Sequence, residues 1–252
     1  MIISDLDNTL LRSDKTISDY TLSILQKCRS KGIKVAFATA RSTRSAARML
    51  AQFTPDIFIG YGGALAVSGT DDIIYRSAIP ADVSAKLIAE FAQTPEVLYV
   101  YAASESVALT NDPALMGVQD YTHYEYHEFS GSDNCSYLKL SVTATCPNVV
   151  ERIAANYPMC DMLRYTGENL YRFANSDATK WNAIKAVAEH SNISTDTIIA
   201  FGDDINDFEM IKNCGTGIAV ANAIDEVKAV AGYICGTNEN DGVAKWLAEH
   251  VL

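Results

Sequence analysis

Apolar strand-like segments and amphipathic helices alternate at both ends of the chain. The apolar segment Met1–Asp5 precedes a helical pattern that begins after Ser18 and ends at Gly32. A strand, a helix and a strand are predicted next, over Ile33–Ala38, Ser45–Phe53 and Ile57–Gly60. The C-terminal part repeats this alternation, with helices over Lys180–His190, Ile205–Lys212, Ile224–Ala231 and Gly242–Val251 and strands over Thr197–Phe201 and Gly217–Val220. Continuous apolar strands separated by helices predict one α/β domain, whose parallel sheet is covered on both faces.

The middle of the chain has a different pattern. Apolar and polar residues alternate along four segments, as in a sheet with one solvated face: Val97–Tyr101, Ser106–Thr110, Tyr137–Thr143 and Asn169–Phe173. We therefore expect an inserted α+β module over residues 81–175, with edges near Pro80 and Asn175. The core domain is then built from residues 1–80 and 176–252.

Composition narrows the class of protein. The chain has 252 residues with 48% hydrophobic content, which predicts a folded protein with a sizeable core. Its net charge of −11 argues against nucleic acid or anionic lipid as a partner. Every apolar run is too short to span a membrane, and no basic region precedes an apolar segment at the N-terminus. We expect a cytoplasmic protein whose six cysteines, none in a CxxC pair, are reduced thiols.

Two carboxylates follow the first predicted strand. Asp5 and Asp7 are two residues apart, and in an extended chain this spacing places both side chains on one face, about 6–7 Å from each other. Ligands of open parallel sheets bind outside the carboxyl ends of the strands, where these residues lie. A turn that merely ends the strand is the simpler alternative for Asp7-Asn8.

A second acidic segment, Gly202–Asp207, also follows an apolar strand. Carboxylates at two adjacent strand ends repel one another unless a cation neutralises them, and carboxylate oxygens are ligands that Mg²⁺ prefers. No EF-hand spacing occurs, so Mg²⁺ is favoured over Ca²⁺. The alternative is an acidic cap for the helix that begins at Ile205.

Two further segments have groups suited to phosphate. Thr39-Ala40-Arg41 follows the second strand and offers a hydroxyl and backbone N–H groups, although Thr at a strand end is often only a cap or turn. Lys180 opens a helix, where a cation is poorly placed for the helix dipole. Either Lys180 is a functional counter-ion or it is simply solvated.

Together these motifs resemble the haloacid dehalogenase (HAD) superfamily of phosphotransferases. The features that carry the resemblance are DxDxT after the first strand, Thr39 after the second, Lys180 at a helix start and GDxxND from Gly202. The long insertion between Thr39 and Lys180 is similar to that of the Cof-type sugar phosphatase branch. Two late segments, Gly217–Ala223 and Asn240–Val243, also resemble that branch. The resemblance covers essentially the whole chain and implies a Rossmann-like HAD core with a C2-type (C2B) cap.

The resemblance also implies roles for individual residues. Asp5 is the expected nucleophile, and Asp7 is the acid and base that protonates the leaving oxygen and then activates water. Mg²⁺ is expected on Asp5, Asp203 and the main-chain carbonyl of Asp7. The phosphoryl oxygens are expected to contact Thr39, Lys180, Asn206 and the N–H groups of Leu6 and Ala40, while Asp207 orients metal-bound water or Lys180. The acid at position 7 argues against the dehalogenase branch.

The sequence departs from the family pattern at three positions. Ala40 and Trp181 stand where family members usually have Gly, and Gly62 stands in Tyr61–Ala64 where Asn-Gly-Ala is common. These departures bear on the substrate more than on the reaction type. The implied substrate is a small phosphorylated metabolite, with a sugar phosphate as the first candidate.

Two other functions stay open at this point, and so does the oligomeric state. A phosphomutase would share Asp5 and Asp7 but return the phosphoryl group to its substrate, and a phospho-ligand sensor would bind without turnover. The inserted module has an aromatic and imidazole cluster that either contacts substrate or belongs to the core or surface: Tyr121, His123, Tyr124, Tyr126 and His127.

Overall fold

A computed structural model describes residues 1–105, 107–112, 126–128, 135–165 and 168–252. The described chain divides into two compact units. The core unit comprises Met1–Arg76 and Thr179–Leu252, and the inserted unit comprises Ser77–Ala178. The edges expected from the sequence, near Pro80 and Asn175, lie four and three residues from these divisions.

The core unit is an α/β structure. Before the insertion its elements are β1 (Ile2–Ser4), α1 (Asp19–Ser30), β2 (Val35–Ala38), α2 (Thr43–Leu50), β3 (Ile57–Gly60), β4 (Leu65–Ser68) and β5 (Ile73–Arg76). The inserted unit contains α3 (Ala81–Ala92), β6 (Val97–Ala103), β7 (Ala108–Thr110), β8 (Tyr126–His127), β9 (Lys139–Ala144), α4 (Pro147–Ala154), β10 (Cys160–Arg164) and β11 (Leu170–Asn175). The core unit then continues with α5 (Lys180–His190), β12 (Ile199–Gly202), α6 (Phe208–Asn213), β13 (Thr216–Ala219), α7 (Asp225–Val230), β14 (Tyr233–Ile234) and α8 (Gly242–His250).

Within the described residues, the core sheet has eight strands in the order β14-β13-β12-β1-β2-β3-β4-β5. The strands from β14 to β3 pair in parallel, which confirms the predicted parallel core. An antiparallel hairpin, β4–β5, extends one edge of this sheet and was not predicted. The chain reverses between β3 and β4 through Tyr61, Gly62 and Gly63, which all have positive φ, so the strand that follows β3 runs antiparallel to it.

Packing in the core unit follows the hydrophobic pattern of the sequence. Ile2 and Ile3, on opposite faces of β1, are both fully buried, as expected for a central strand with helices on both sides. The hydroxyl of Ser18 accepts a hydrogen bond from Thr21 N at 3.0 Å and caps α1, whose residues Leu25 and Cys28 are buried. These contacts confirm the first predicted helix.

The inserted unit is an α+β structure with its own core. Its described strands form a sheet in the order β10-β11-β9-β6-β7-β8, in which the β7–β8 pair is parallel and the other pairs are antiparallel. Helices α3 and α4 contribute to one hydrophobic cluster with the sheet, which includes Phe91, Tyr171 and Phe173. Buried and half-buried residues alternate along β9, in agreement with the predicted alternation.

One predicted helix begins differently. The helix expected over Ile205–Lys212 is a 3₁₀ turn, Ile205–Asp207, followed by α6. The N–H of Asp207 donates to Asp204 O, three residues earlier, at 2.8 Å, so this turn is tighter than an α-helix. The Asp204 carboxylate accepts the N–H of Ile205, and the Asp207 carboxylate reaches back to main-chain N–H groups. Among the described helices, none combines the length and the apolar character needed to cross a membrane.

Candidate active site

The order of the central strands brings three sequence motifs to one edge of the sheet. Strand β1 lies between β2 and β12, and Asp5, Thr39 and Asp203 each follow the end of one of these parallel strands. The N–H of Asp5 donates to Phe201 O at 3.0 Å, so Asp5 still pairs with β12. The carboxyl ends of these adjacent parallel strands meet at the edge where the sequence analysis placed its candidate site.

Three buried carboxylates meet at this edge. Asp5, Asp203 and Asp207 each offer an oxygen, and these oxygens all lie within 4.8 Å of one another. Lys180 Nζ lies 2.7 Å from Asp5 Oδ1 and 2.6 Å from Asp207 Oδ1. When the three acids are ionised, the single ammonium of Lys180 does not balance them, and the cluster has an excess of negative charge.

The electrostatics of the cluster favour a bound cation. Burial raises the pKa of Asp5 well above its usual value, against the attraction of Lys180. Burial likewise raises the pKa of Asp203 to about 6. Burial lowers the pKa of Lys180, but Asp207 and Asp5 outweigh that effect, and the net pKa is raised. A divalent cation would hold both acids ionised, and the all-oxygen donor set fits Mg²⁺.

Local contacts fix Asp203 and Asp207 of the GDxxND segment. Thr9 Oγ1 donates to Asp203 Oδ1 at 2.6 Å. Asp207 Oδ2 accepts the N–H groups of Asp203 and Asp204, at 3.0 and 3.2 Å. A Cβ atom on Gly202 would lie 2.5 Å from Asp207 Cβ, so only glycine permits this approach. Asp207 thus holds both the loop and Lys180 in place.

The start of α5 delivers Lys180 to the cluster. Thr179 caps this helix by accepting the N–H of Asn182 at 3.1 Å, and the Lys180 side chain is 3% exposed. Gly63, with φ of +104°, packs on the helix start, where an added Cβ would lie 2.1 Å from the carbonyl carbon of Thr179. Trp181 is half-buried and packs against the core cluster. Sequence reasoning missed Gly63, although its position in a double glycine after a buried strand was a signal.

Asp7 has ion-pair partners that the sequence analysis did not name. Strand β1 ends at Ser4, and Leu6–Leu10 form one wide turn in which Asn8 has φ of +58°. The Asp7 carboxylate is bound at two points by Arg41, Nε to Oδ2 at 2.6 Å and a terminal nitrogen to Oδ1 at 2.7 Å. Lys15 Nζ adds a contact to Oδ1 at 2.9 Å. Partial burial opposes ionisation, but these hydrogen bonds give Asp7 a net lowered pKa.

The remaining predicted residues of the core unit lie in the segments that follow β1, β2 and β12. Thr39 is buried after β2, and its hydroxyl accepts the N–H of Arg41 at 3.2 Å. Leu6 is buried in the wide turn, Ala40 is half-buried beside Thr39, and half-buried Asn206 lies in the 3₁₀ turn before α6.

Of the aromatic and imidazole cluster, Tyr121, His123 and Tyr124 lie outside the described residues, and Tyr126–His127 form β8.

The fold and this cluster define a class of protein: an α/β core with carboxylates and a lysine at the carboxyl edge of its parallel sheet, interrupted in sequence by an α+β insertion. Residues 2–247 match the family model of haloacid dehalogenase-like hydrolases, and the chain belongs to this family. Its motifs and neighbours are those of the Cof-type branch.

Three known proteins illustrate the relationship. The chain is 30% identical to the 5-amino-6-(5-phospho-D-ribitylamino)uracil phosphatase YitU of Bacillus subtilis, covering 99% of this chain and 97% of the relative. It is 23% identical to the HMP-PP phosphatase of Shigella flexneri, covering 98% and 94%. The fold is that of the subclass IIB sugar phosphatase BT4131, with a TM-score of 0.81, 23% identity and coverage of 98% and 97%. The chain is a phosphatase of the HAD superfamily.

Proposed function

We propose that this phosphatase hydrolyses a phosphomonoester of a small metabolite, with a sugar phosphate as the first candidate, in a Mg²⁺-dependent reaction through an aspartyl-phosphate. The observation that carries the proposal is the buried cluster of three carboxylates and Lys180 at the carboxyl edge of the sheet. Such a cluster supplies a nucleophile, a cation for phosphoryl oxygens and ligands for a metal.

Asp5 is the proposed nucleophile. Lys180 binds its Oδ1, so the other carboxylate oxygen is the one that attacks phosphorus. The new bond joins this oxygen to phosphorus while the bond from phosphorus to the leaving oxygen breaks. Asp7 gives that oxygen a proton, which requires that Asp7 first leaves its ion pairs with Arg41 and Lys15, the contacts that lower its pKa, and takes up a proton from solvent. Asp7 then takes a proton from water, the water oxygen attacks phosphorus, and the bond to Asp5 breaks to release phosphate.

Asp5, Asp203 and the main-chain carbonyl of Asp7 would hold the metal. Bound there, Mg²⁺ supplies positive charge that lets an anionic carboxylate approach an anionic phosphate. Asp207 keeps Lys180 directed at Asp5 through its 2.6 Å contact. The phosphoryl oxygens would be held by Lys180, the Thr39 hydroxyl, the Asn206 amide and the N–H groups of Leu6 and Ala40.

The inserted unit is proposed to select the substrate. The acids, Thr39 and Lys180 all belong to the core unit, which is proposed to bind the phosphoryl group. The inserted unit would then distinguish substrates by the other part of the molecule, the leaving group. Contacts remote from phosphorus contribute to kcat/KM when they position the substrate. A cytoplasmic location is also proposed, because the six unpaired cysteines suit a reducing compartment.

The test is a phosphate-release screen over phosphorylated metabolites with Mg²⁺ present. The panel includes sugar phosphates and the phosphorylated ribityl pyrimidine and HMP-PP named for the two relatives. Asp5→Asn serves as the matched inactive enzyme. We expect release of inorganic phosphate from at least one sugar phosphate or related ester, and none from Asp5→Asn. Recovery of an isomeric phosphate ester in place of inorganic phosphate would identify a mutase, and binding without either product would identify a sensor.

A further inference from the structure

The wide turn that carries Asp7 is held by two asparagines from the far end of the chain. Asn222 Nδ2 donates to Asn8 O at 2.7 Å, and Asn238 Nδ2 donates to Leu11 O at 3.0 Å. The two asparagines are joined to each other, because the N–H of Asn238 donates to Asn222 Oδ1 at 3.1 Å. We call Asn222 and Asn238 the asparagine clamp.

The turn contains two residues whose backbone angles are not helical. Its ends are joined by the N–H of Leu11, which donates to Leu6 O at 2.8 Å. Between them, Asp7 has extended backbone angles and Asn8 has φ of +58°, a region that residues other than glycine occupy at a cost. A donor on the carbonyl of Asn8 fixes the peptide between Asn8 and Thr9, one residue after Asp7, in this orientation.

The clamp does not take part in the carboxylate cluster. Asn222 follows β13, and Asn238 lies in the 3₁₀ turn Asn238–Asn240 after β14. Nearby, Asp241 pairs with Arg12 at 2.8 Å and accepts a hydrogen bond from the Ser18 hydroxyl at 2.7 Å, so the same C-terminal segment also holds the chain that leaves the turn. Asn222 and Asp241 lie in the two late segments, Gly217–Ala223 and Asn240–Val243, which have no role in the proposed chemistry. These contacts assign the two segments a structural role in holding the turn.

We infer that Asn222, supported by Asn238, is a positioning residue that holds the turn so that Asp7 reaches the leaving oxygen. This inference rests on the proposed role of Asp7 as acid and base. Asn222 is exposed, and its bonds compete with water, so its loss changes the geometry of the turn more than the stability of the fold. A displaced Asp7 matters most for a substrate whose leaving oxygen needs a proton.

The experiment compares Asn222→Ala and Asn222→Asp with wild type on two substrates, an alkyl sugar phosphate and p-nitrophenyl phosphate. Asn222→Asp keeps the acceptor for Asn238 but puts an oxygen against Asn8 O. We expect kcat for the sugar phosphate to fall about tenfold more than kcat for p-nitrophenyl phosphate, a part of the roughly 10²-fold or larger contribution of general acid catalysis. The two substrates are compared at saturating Mg²⁺, because the turn also carries the Asp7 carbonyl proposed as a metal ligand and Thr9, which donates to Asp203. The melting temperature should stay unchanged.

Asn240→Ala is the matched control. Asn240 lies in the same 3₁₀ turn, but its amide donates only to Thr237 Oγ1 among the hydrogen bonds of the described residues, at 3.1 Å. Asp7→Asn is the reference for complete loss of the acid. Equal losses on both substrates in the Asn222 variants, or none, overturn the inference if Asp7→Asn is selective. If Asp7→Asn itself affects both substrates equally, the acid role of Asp7 fails, and the inference fails with it for that separate reason.

Discussion

Replacing Lys180 with Met tests the electrostatic account of the site without any assay of turnover. The ammonium is buried between Asp5 and Asp207, at 2.7 and 2.6 Å, and the side chains of the two acids are 10% and 1% exposed. Met fills a similar volume and adds no charge. The variant therefore leaves two carboxylates buried at one end of the sheet with no ammonium between them.

The expected loss of stability follows from that burial. Removing one partner of a buried ion pair costs about 3–5 kcal/mol, because the remaining charge stays out of water without compensation. Proton uptake by Asp5, whose pKa burial already raises, limits the loss. We therefore expect about 3 kcal/mol at neutral pH, which for a urea m-value of about 3 kcal/mol per M moves the unfolding midpoint by about 1 M.

The assay is urea unfolding in EDTA, followed by tryptophan fluorescence. Both tryptophans of the chain, Trp181 and Trp246, lie in the core unit, so the signal reports on the part that contains Lys180. Lys27→Met, an exposed position on α1 of the core unit, is the control. A second variant, Lys180→Met with Asp207→Asn, removes one stranded charge and should recover part of the loss. The reasoning is refuted if Lys180→Met unfolds like the control, or if the double variant recovers nothing.

The other predictions concern activity. Asp203→Ala should lower Mg²⁺-dependent phosphate release by roughly 10²-fold or more, and full wild-type turnover in excess EDTA would contradict the metal assignment. Asp5→Asn should form no phosphoenzyme, whereas Asp7→Asn should still form it from an activated aryl phosphate. Acid quench followed by intact-protein mass spectrometry measures the phosphoenzyme. Equal loss of activity of Asp7→Asn on aryl and sugar phosphates would assign Asp7 a structural role. Replacing Tyr124 and His127 with Ala should reduce kcat/KM for a sugar phosphate more than for p-nitrophenyl phosphate, and equal small effects would move the search to other residues of the insertion.

The strand ends were predictable because the signals that define them are local. An apolar run followed at once by Asp5 or by Asp203 fixes both the strand and the edge at which its acid lies. That Lys180 has acidic partners was predictable for a different reason. A cation at a helix start is unfavourable in the field of the helix dipole, so a nearby carboxylate is expected to stabilise it. The structure supplies that partner twice, in Asp5 and Asp207.

The surroundings of Asp7 were not predictable from spacing. The expected proximity to Asp5 assumed an extended chain, but β1 ends at Ser4 and the wide turn begins at Leu6, between the two acids. The two-point pair with Arg41 then depends on the loop after β2, which is 34 positions away in sequence. Alternation along one strand carries no information on such a contact.

At the double glycine after β3, the distances to neighbouring atoms show which of the two glycines the packing requires. Gly62 stood out in the sequence because it replaces a common residue type, yet the close contact belongs to its neighbour Gly63. A Cβ on Gly63 would lie 2.1 and 2.2 Å from the carbonyl atoms of Thr179, and main-chain atoms cannot swing aside as a flexible side chain can. Any larger residue there would push back the start of α5, and Lys180 is its first residue. The constraint on Gly63 is therefore a constraint on the position of the ammonium that faces Asp5.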